Sequence, residues 1–140
     1  MAYNDTPLPT NLISDSQPDI RENFQLLEDS QVVDEGSTND GDYIRYENGW
    51  QICFGYEDTT QTTDETSFGS NFHRTTATTL EFPINFSSTP LAKGIFDVGS
   101  DYNAWASETD VTTERVRVFG IATDDTTTGT RGYFAIGRWK

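Results

Sequence analysis

The fold of this chain is indicated most clearly by the stretch Tyr43-Ile44-Arg45-Tyr46-Glu47-Asn48-Gly49-Trp50-Gln51-Ile52-Cys53-Phe54-Gly55-Tyr56. It consists of two runs rich in aromatic and β-branched residues, which favour strands, and the runs meet at Asn48-Gly49. Asn and Gly tolerate the positive φ that a type I′ turn needs at both central positions, so the stretch predicts a tight β-hairpin. A similar run over 131–140 predicts a last strand built into the same β domain.

The composition fits a small β domain with an appendage. The chain has 140 residues, with many Thr, Gly and aromatic residues and one Met, which favours strands over helices. The formal net charge of -14 repels phosphate backbones and anionic membranes, so we expect neither nucleic acid nor membrane insertion. No secretory signal opens the chain and no apolar stretch approaches the roughly 18 residues of a membrane span. We therefore expect synthesis in a cytoplasm.

Three parts are predicted along the chain: an N-terminal arm and anchor helix over 1–33, a polar linker over 34–42, and a β domain over 43–140. The helix is expected from about Gln17 to Asp29, because Ser16 can cap it and Pro18 suits its first turn. Apolar residues at helical spacing mark one face for anchoring or oligomerisation: Ile13, Ile20, Phe24 and Leu27. That face either docks on the β domain or packs against copies or a larger assembly, and the sequence leaves both open.

The β domain is predicted to be an antiparallel β-sandwich of six or seven short strands. After the hairpin, 57–74 is interpreted as a long polar loop. Further strands are expected over 75–82, 91–98, 104–112, 115–122 and 132–139. In the strand 115–122, Val116 and Val118 fall on one face, and Arg117 and Phe119 fall on the other. Short strands at regular spacing with turns between them are typical of a sandwich.

Two groups of segments resemble a known family. The β domain resembles the C-terminal head domain of phage tail-fibre proteins through the segments 48–55, 80–86 with Pro90, and 135–139. The segment 13–24 is similar to N-terminal segments of short phage virion and tail proteins. This resemblance implies an H-type-lectin-like sandwich of mainly β structure that forms a homotrimer through its sheets.

The resemblance also implies a function. It indicates a virion protein, namely a tail fibre or receptor-binding adhesin whose head binds a host-surface glycan or protein. The N-terminal segment would contact other tail, baseplate or capsid proteins, and release at host lysis would require no signal peptide. The linker of about ten residues is short for a fibre, so a structural role remains the alternative: a tail or baseplate adaptor or a capsid decoration protein.

One cluster suits carbohydrate. Aromatic faces stack on sugar rings while Asp and Asn side chains hydrogen-bond to hydroxyls, and these residue types occur together at Asp101, Tyr102, Asn103 and Trp105. We take them as receptor-binding candidates. The alternative is that Trp105 faces the core of its strand, since a Trp buries a large area wherever it lies.

The remaining polar residues do not indicate an enzyme. Asp124 and Asp125 lie in a Thr- and Gly-rich stretch, where Asp commonly forms turns, and the calcium-loop spacing of oxygen ligands is missing. His73 is the only histidine and Cys53 the only cysteine, so neither a catalytic pair nor a metal site is predicted. We expect no cofactor. Six other aromatic residues are assigned to the core or a subunit interface: Trp50, Phe54, Phe82, Phe86, Phe119 and Phe134.

Overall fold

The structure is a computed structural model that describes residues 31–66, 71–99 and 104–140. These residues form ten strands and no α-helix. The strands are β1 Val32–Thr38, β2 Gly41–Tyr46, β3 Trp50–Thr62, β4 Glu65–Thr66, β5 His73–Arg74, β6 Thr78–Glu81, β7 Leu91–Asp97, β8 Ala104–Thr109, β9 Arg115–Ala122 and β10 Thr128–Arg138. The predicted helix over 17–29 and its apolar candidates Ile13, Ile20, Phe24 and Leu27 lie outside the described residues.

Two antiparallel sheets make up the sandwich. The first sheet has the order β1-β2-β3-β10-β7. In the second sheet β9 is central, with β8 on one side and β5 and β6 on the other, and β4 extends it beyond β5. The prediction of a mainly β protein built from antiparallel sheets is confirmed.

The core lies between the two sheets. The first sheet contributes Cys53, Ala92, Tyr133 and Ala135, and the second contributes Val116 and Val118, all buried. Phe82 and Phe86, which follow β6, fill the space between them, and their rings lie edge to face at 5.1 Å. Alternation along each strand places every second side chain in this layer. The sequence assignment of Phe82 and Phe86 to the core is confirmed.

The predicted hairpin is present, but its turn differs from the expected type. Arg45 pairs with Gln51, so a three-residue loop over 47–49 connects β2 to β3. Gly49 has φ +86, whereas Asn48 is not among the residues with positive φ. The Asn48 side chain instead accepts a hydrogen bond from the Trp50 backbone N–H at 3.2 Å. The extra residue lets a single glycine take up the left-handed conformation, so the type I′ prediction is wrong.

Two segments assigned to loops are strands in the structure. Residues 34–38, taken from sequence as linker, belong to β1, which pairs with β2 up to Thr38↔Gly41. Residues 57–62, taken as loop, extend β3 and pair with β10 up to Thr62↔Thr128. Both segments are polar and largely exposed, so they lack the apolar alternation from which strands are predicted.

A buried ion pair connects the sheets. The Arg131 guanidinium donates to both carboxylate oxygens of Glu57, at 2.6 and 2.7 Å. Its remaining nitrogen donates to the Thr75 hydroxyl and the Thr76 carbonyl, which follow β5 of the second sheet. Thr75 in turn accepts the Gly120 backbone N–H at 3.0 Å. Arg131 interrupts the regular register between β3 and β10, so this irregularity turns a charged side chain inward where a carboxylate meets it.

Candidate ligand-binding face

The outer face of the second sheet carries the polar and aromatic side chains of interest. Successive residues of a strand point to opposite sides, and β9 shows this clearly. Val116 and Val118 are fully buried, Arg117 is exposed and Phe119 is half-buried. Arg117 and Phe119 therefore share the face opposite Val116 and Val118, as the sequence pattern predicted. The structure shows that this face points away from the core.

Cross-strand pairing sets which residues are neighbours on this face. Ile121 of β9 pairs with Trp105 of β8 on one side and with Arg74 of β5 on the other. Neighbouring strands are about 4.8 Å apart, which places the Trp105 and Arg74 backbones roughly 10 Å from each other. Two rows further along the same face, four residues from Ile121 on β9, Arg117 lies opposite Thr109. Three strands thus bring a tryptophan and two arginines to one surface.

Trp105 is a partly exposed surface residue. It is 44% exposed, and its ring meets Phe72, which is 37% exposed, edge to face at 5.6 Å. An edge-to-face contact holds both rings in place while leaving a large part of each accessible. Such a platform can receive the apolar face of a sugar ring.

A cleft of about 490 Å³ opens beside this platform. Within the described residues it is lined by Arg74, Thr76, Ala77, Thr109, Arg117 and Phe119. The Arg74 guanidinium lies over the Phe119 ring at 5.7 Å, a cation–π contact that orients it. Arg117 reaches Asp110 only at 3.9 Å, and these side chains are 50% and 71% exposed. The volume is within the range of small-molecule sites.

Of the four receptor-binding candidates, the structure describes only Trp105. Asp101, Tyr102 and Asn103 lie outside the described residues. Trp105 is on the surface of the second sheet, and the alternative that it faces the core is wrong.

Asp124 and Cys53, two of the residues considered for chemistry, are engaged in structural contacts. Asp124 accepts hydrogen bonds from the Thr127 hydroxyl at 2.8 Å and from the Thr126 backbone and hydroxyl, and these bonds lower the pKa of its carboxyl. Burial raises the pKa of the Cys53 thiol to about 11, which keeps it protonated and unreactive at neutral pH. His73 is half-buried on β5.

Two further findings concern metals and membranes. Across the described ranges, His, Cys, Asp and Glu side chains do not gather in threes or more as metal ligands would. The same residues contain no helix long and apolar enough to cross a membrane.

Sequence reasoning missed the arginine cleft. Arg117 and Phe119 were assigned to one face, which was a usable signal, but Arg74 fell in a segment interpreted as loop. Only the pairing of β5 with β9, Arg74↔Ile121, brings it to this face. Nothing in the local sequence around Arg74 indicates that pairing.

The outer face of the first sheet is mainly apolar, although the Phe54–Phe134 row ends in Asp42 on one side and Lys93 on the other. One row across the sheet consists of Ile44, Ile52, Ile136 and Leu91. Leu91 is 67% exposed, and in the adjoining row Phe54 and Phe134 pair with each other at 36% and 41% exposure. Trp50 lies at the edge under the Arg138 guanidinium, at 4.9 Å. Of the six aromatic residues assigned to core or interface, Trp50, Phe54 and Phe134 are therefore surface residues of this face, and Phe119 belongs to the opposite face.

Comparison with solved structures identifies the fold. The chain is similar to an N-truncated R1-type pyocin tail fibre, with 16% sequence identity, 86% of this chain and 95% of that chain covered, and a TM-score of 0.51. It is also similar to the C-terminal part of the P. aeruginosa R1 pyocin fibre, at 14% identity and a TM-score of 0.51, where it spans 39% of that longer chain. Neither a protein-family model nor a curated protein matches the sequence.

The described residues thus form a two-sheet antiparallel β-sandwich with one apolar outer face and one outer face that carries aromatic and cationic side chains. This is the fold of pyocin tail fibres, and the resemblance to tail-fibre head domains is confirmed at the level of fold.

Proposed function

We propose that this protein is the receptor-binding head of a phage-type tail fibre, located on the particle, and that it attaches the particle to a glycan or protein on the host surface. The observation that carries the proposal is the difference in side-chain chemistry between the two outer faces. The apolar face of the first sheet suits contact with other protein, and the face with Trp105, Phe72 and the arginine cleft suits a ligand. The similarity to pyocin tail fibres supports the same role.

The apolar face would form the contacts of a homotrimer. A contiguous exposed apolar patch is unusual on a monomer and marks an interaction surface. A second and third copy of the same chain are the occupants proposed, because each copy exposes the same row of Ile44, Ile52, Ile136 and Leu91. Copies related by a threefold axis would bury these rows together and leave the second sheet facing outward.

Three outward faces would raise the strength of attachment. A single open platform gives modest affinity, but linked sites can gain a factor of roughly 10² to 10⁴ when they engage one surface together. Contacts to other tail, baseplate or capsid proteins are assigned to the N-terminal segment, including Ile13, Ile20, Phe24 and Leu27.

Two measurements test this role. Light scattering coupled to size exclusion should give three chains per particle, and Ile136→Asp should give single chains. Labelled protein should adsorb to cells of a susceptible strain within a panel of bacteria, and Trp105→Ala should weaken adsorption without changing the oligomer. A monomeric wild type, or adsorption that does not depend on Trp105, would contradict the proposal.

A structural role in the particle is the second candidate. The apolar face of the first sheet would serve an adaptor or decoration protein equally well, with a different particle component as its occupant. Tight binding to an isolated tail or capsid component, together with no adsorption to any strain in the panel, would favour this alternative.

A further inference from the structure

We infer that the cleft between Arg74 and Arg117 binds the anionic group of an acidic glycan, a carboxylate, sulfate or phosphate, while neighbouring sugar rings stack on Trp105 and Phe72. The inference rests on the proposed function and names the ligand class of its site.

The charge of the cleft is opposite in sign to the net charge of the chain. The protein carries a formal net charge of -14, yet the cleft lining includes two arginines, and Asp110 approaches Arg117 only at 3.9 Å. A cationic cleft attracts a negatively charged ligand locally, whereas the rest of this anionic surface repels it, so an anionic ligand is directed to the cleft.

Arg117 is available to an incoming anion. Its contact with Asp110 is long, 3.9 Å, and the Arg117 and Asp110 side chains are 50% and 71% exposed. Exposed pairs of this kind contribute about 0 to 1 kcal/mol. An oxyanion in the cleft would compete with Asp110 at little cost.

Arg74 is held in a fixed orientation. Its guanidinium lies 5.7 Å from the centre of the Phe119 ring, and both residues line the cleft. Guanidinium groups recognise carboxylate, sulfate and phosphate through paired N–H donors. The Thr109 side chain, opposite Arg117 in the sheet, adds a hydroxyl that can donate to the same anion.

The spacing suits an oligosaccharide. Trp105 and Arg74 flank Ile121 in one row, so their backbones are roughly 10 Å apart. A chain of sugars is long enough to lie on the aromatic platform and to carry a charged group into the cleft.

Matched pairs of polymers provide the test. The full chain is assayed by biolayer interferometry against polygalacturonate and its methyl ester, dextran sulfate and dextran, and phosphorylated mannan and its dephosphorylated form. We expect at least one anionic polymer to bind about tenfold or more tightly than its neutral partner, with affinity falling as salt rises from roughly 50 to 300 mM. The polymer that binds identifies which of the three anions the cleft prefers.

Single-residue variants locate the binding. Arg74→Gln and Arg117→Gln should each weaken that binding by about tenfold, as expected for the loss of a charge-assisted hydrogen bond. Arg115→Gln is the matched control, because Arg115 is exposed on the same face of β9, two residues from Arg117, and does not line the cleft. It removes the same charge and should leave binding within about twofold.

Three outcomes would overturn the inference: no anionic polymer binds, each neutral polymer binds as tightly as its charged partner, or Arg115→Gln weakens binding as much as Arg117→Gln. Adsorption to bacteria is measured in parallel with the same variants. If the wild type adsorbs to cells but Arg74→Gln and Arg117→Gln adsorb equally well, the adhesin role stands and the anion site is wrong.

Discussion

Loss of the Arg131 side chain should be among the most damaging single changes in the β domain. Arg131→Met keeps the length and much of the apolar volume but removes the guanidinium. In the structure that group makes charge-assisted bonds of 2.6 and 2.7 Å to Glu57, and the Arg131 and Glu57 side chains are only 5% and 12% exposed. Removal leaves a largely buried carboxylate without its partner, which costs about 3 to 5 kcal/mol.

That cost is large against the stability of a small domain, about 5 to 15 kcal/mol. The assay is urea unfolding followed by tryptophan fluorescence at a fixed chain concentration, with thermal melting as a second readout. Each kcal/mol should lower Tm by about 4 to 8 °C for a domain of this size. The exposed pair Lys140–Glu47, at 3.2 Å with side chains 45% and 51% exposed, is the control, and Glu47→Gln should cost no more than about 1 kcal/mol.

A double variant tests the physical reason rather than the position. Glu57→Leu combined with Arg131→Met removes both charges, so no isolated carboxylate remains. The double variant should be more stable than the sum of the single losses predicts, by about 2 kcal/mol or more. Strict additivity, or an Arg131→Met protein within about 1 kcal/mol of wild type, would refute the reasoning.

Three further outcomes follow from the packing. Gly120→Ala should destabilise by about 1 to 3 kcal/mol, because its Cβ would lie 2.6 Å from the Phe96 ring; adding Phe96→Leu should restore part of the loss in the same urea titration. Cys53 should react with iodoacetamide at pH 8 only as fast as the chain unfolds, and rapid labelling of folded protein would contradict its burial. Because burial raises the Cys53 pKa from 9.0 to about 11, the unfolded chain loses this proton first as pH rises; stability should therefore fall between about pH 9 and 11 by roughly 3 kcal/mol, and Cys53→Ala should flatten that slope.

The strands that alternate apolar and polar residues were predictable, and those without that alternation were not. β9 was predicted at its observed bounds because Val116 and Val118 alternate with charged and aromatic residues. β1 was missed because its acidic and Gly-containing sequence has little strand preference, and its pairing with β2 holds it in the sheet. Tertiary pairing, which is not written in the local sequence, decides such edge strands.

The candidate site was likewise predictable only where a local sequence signal exists. A tryptophan beside Asp, Tyr and Asn gave a local signal for a carbohydrate site, and Trp105 proved to be exposed at 44%. The arginine cleft depends on residues far apart in the chain, Arg74 on β5 and Arg117 on β9. Residue composition near either arginine does not show that β5 lies beside β9, so the cleft could be found only from the sheet topology.

The apolar outer face also needed the topology. The sequence placed Phe54 and Phe134 in strands, but alternation alone did not show whether their side chains face the core or the outer surface. The pairing Phe54↔Phe134, with both side chains more than a third exposed, places them outside the core of the single chain.

Adsorption of purified protein to bacterial cells, compared between wild type and Trp105→Ala, tests the central claim most directly. Because Trp105 is 44% exposed and packs edge to face on Phe72, the variant should lose about 1 to 2 kcal/mol of stability, so adsorption is compared at a temperature where both proteins stay folded. Adsorption of the variant should then fall by tenfold or more if the second sheet carries the ligand site. Equal adsorption of the two proteins, or no adsorption of either to any strain in the panel, would contradict the account.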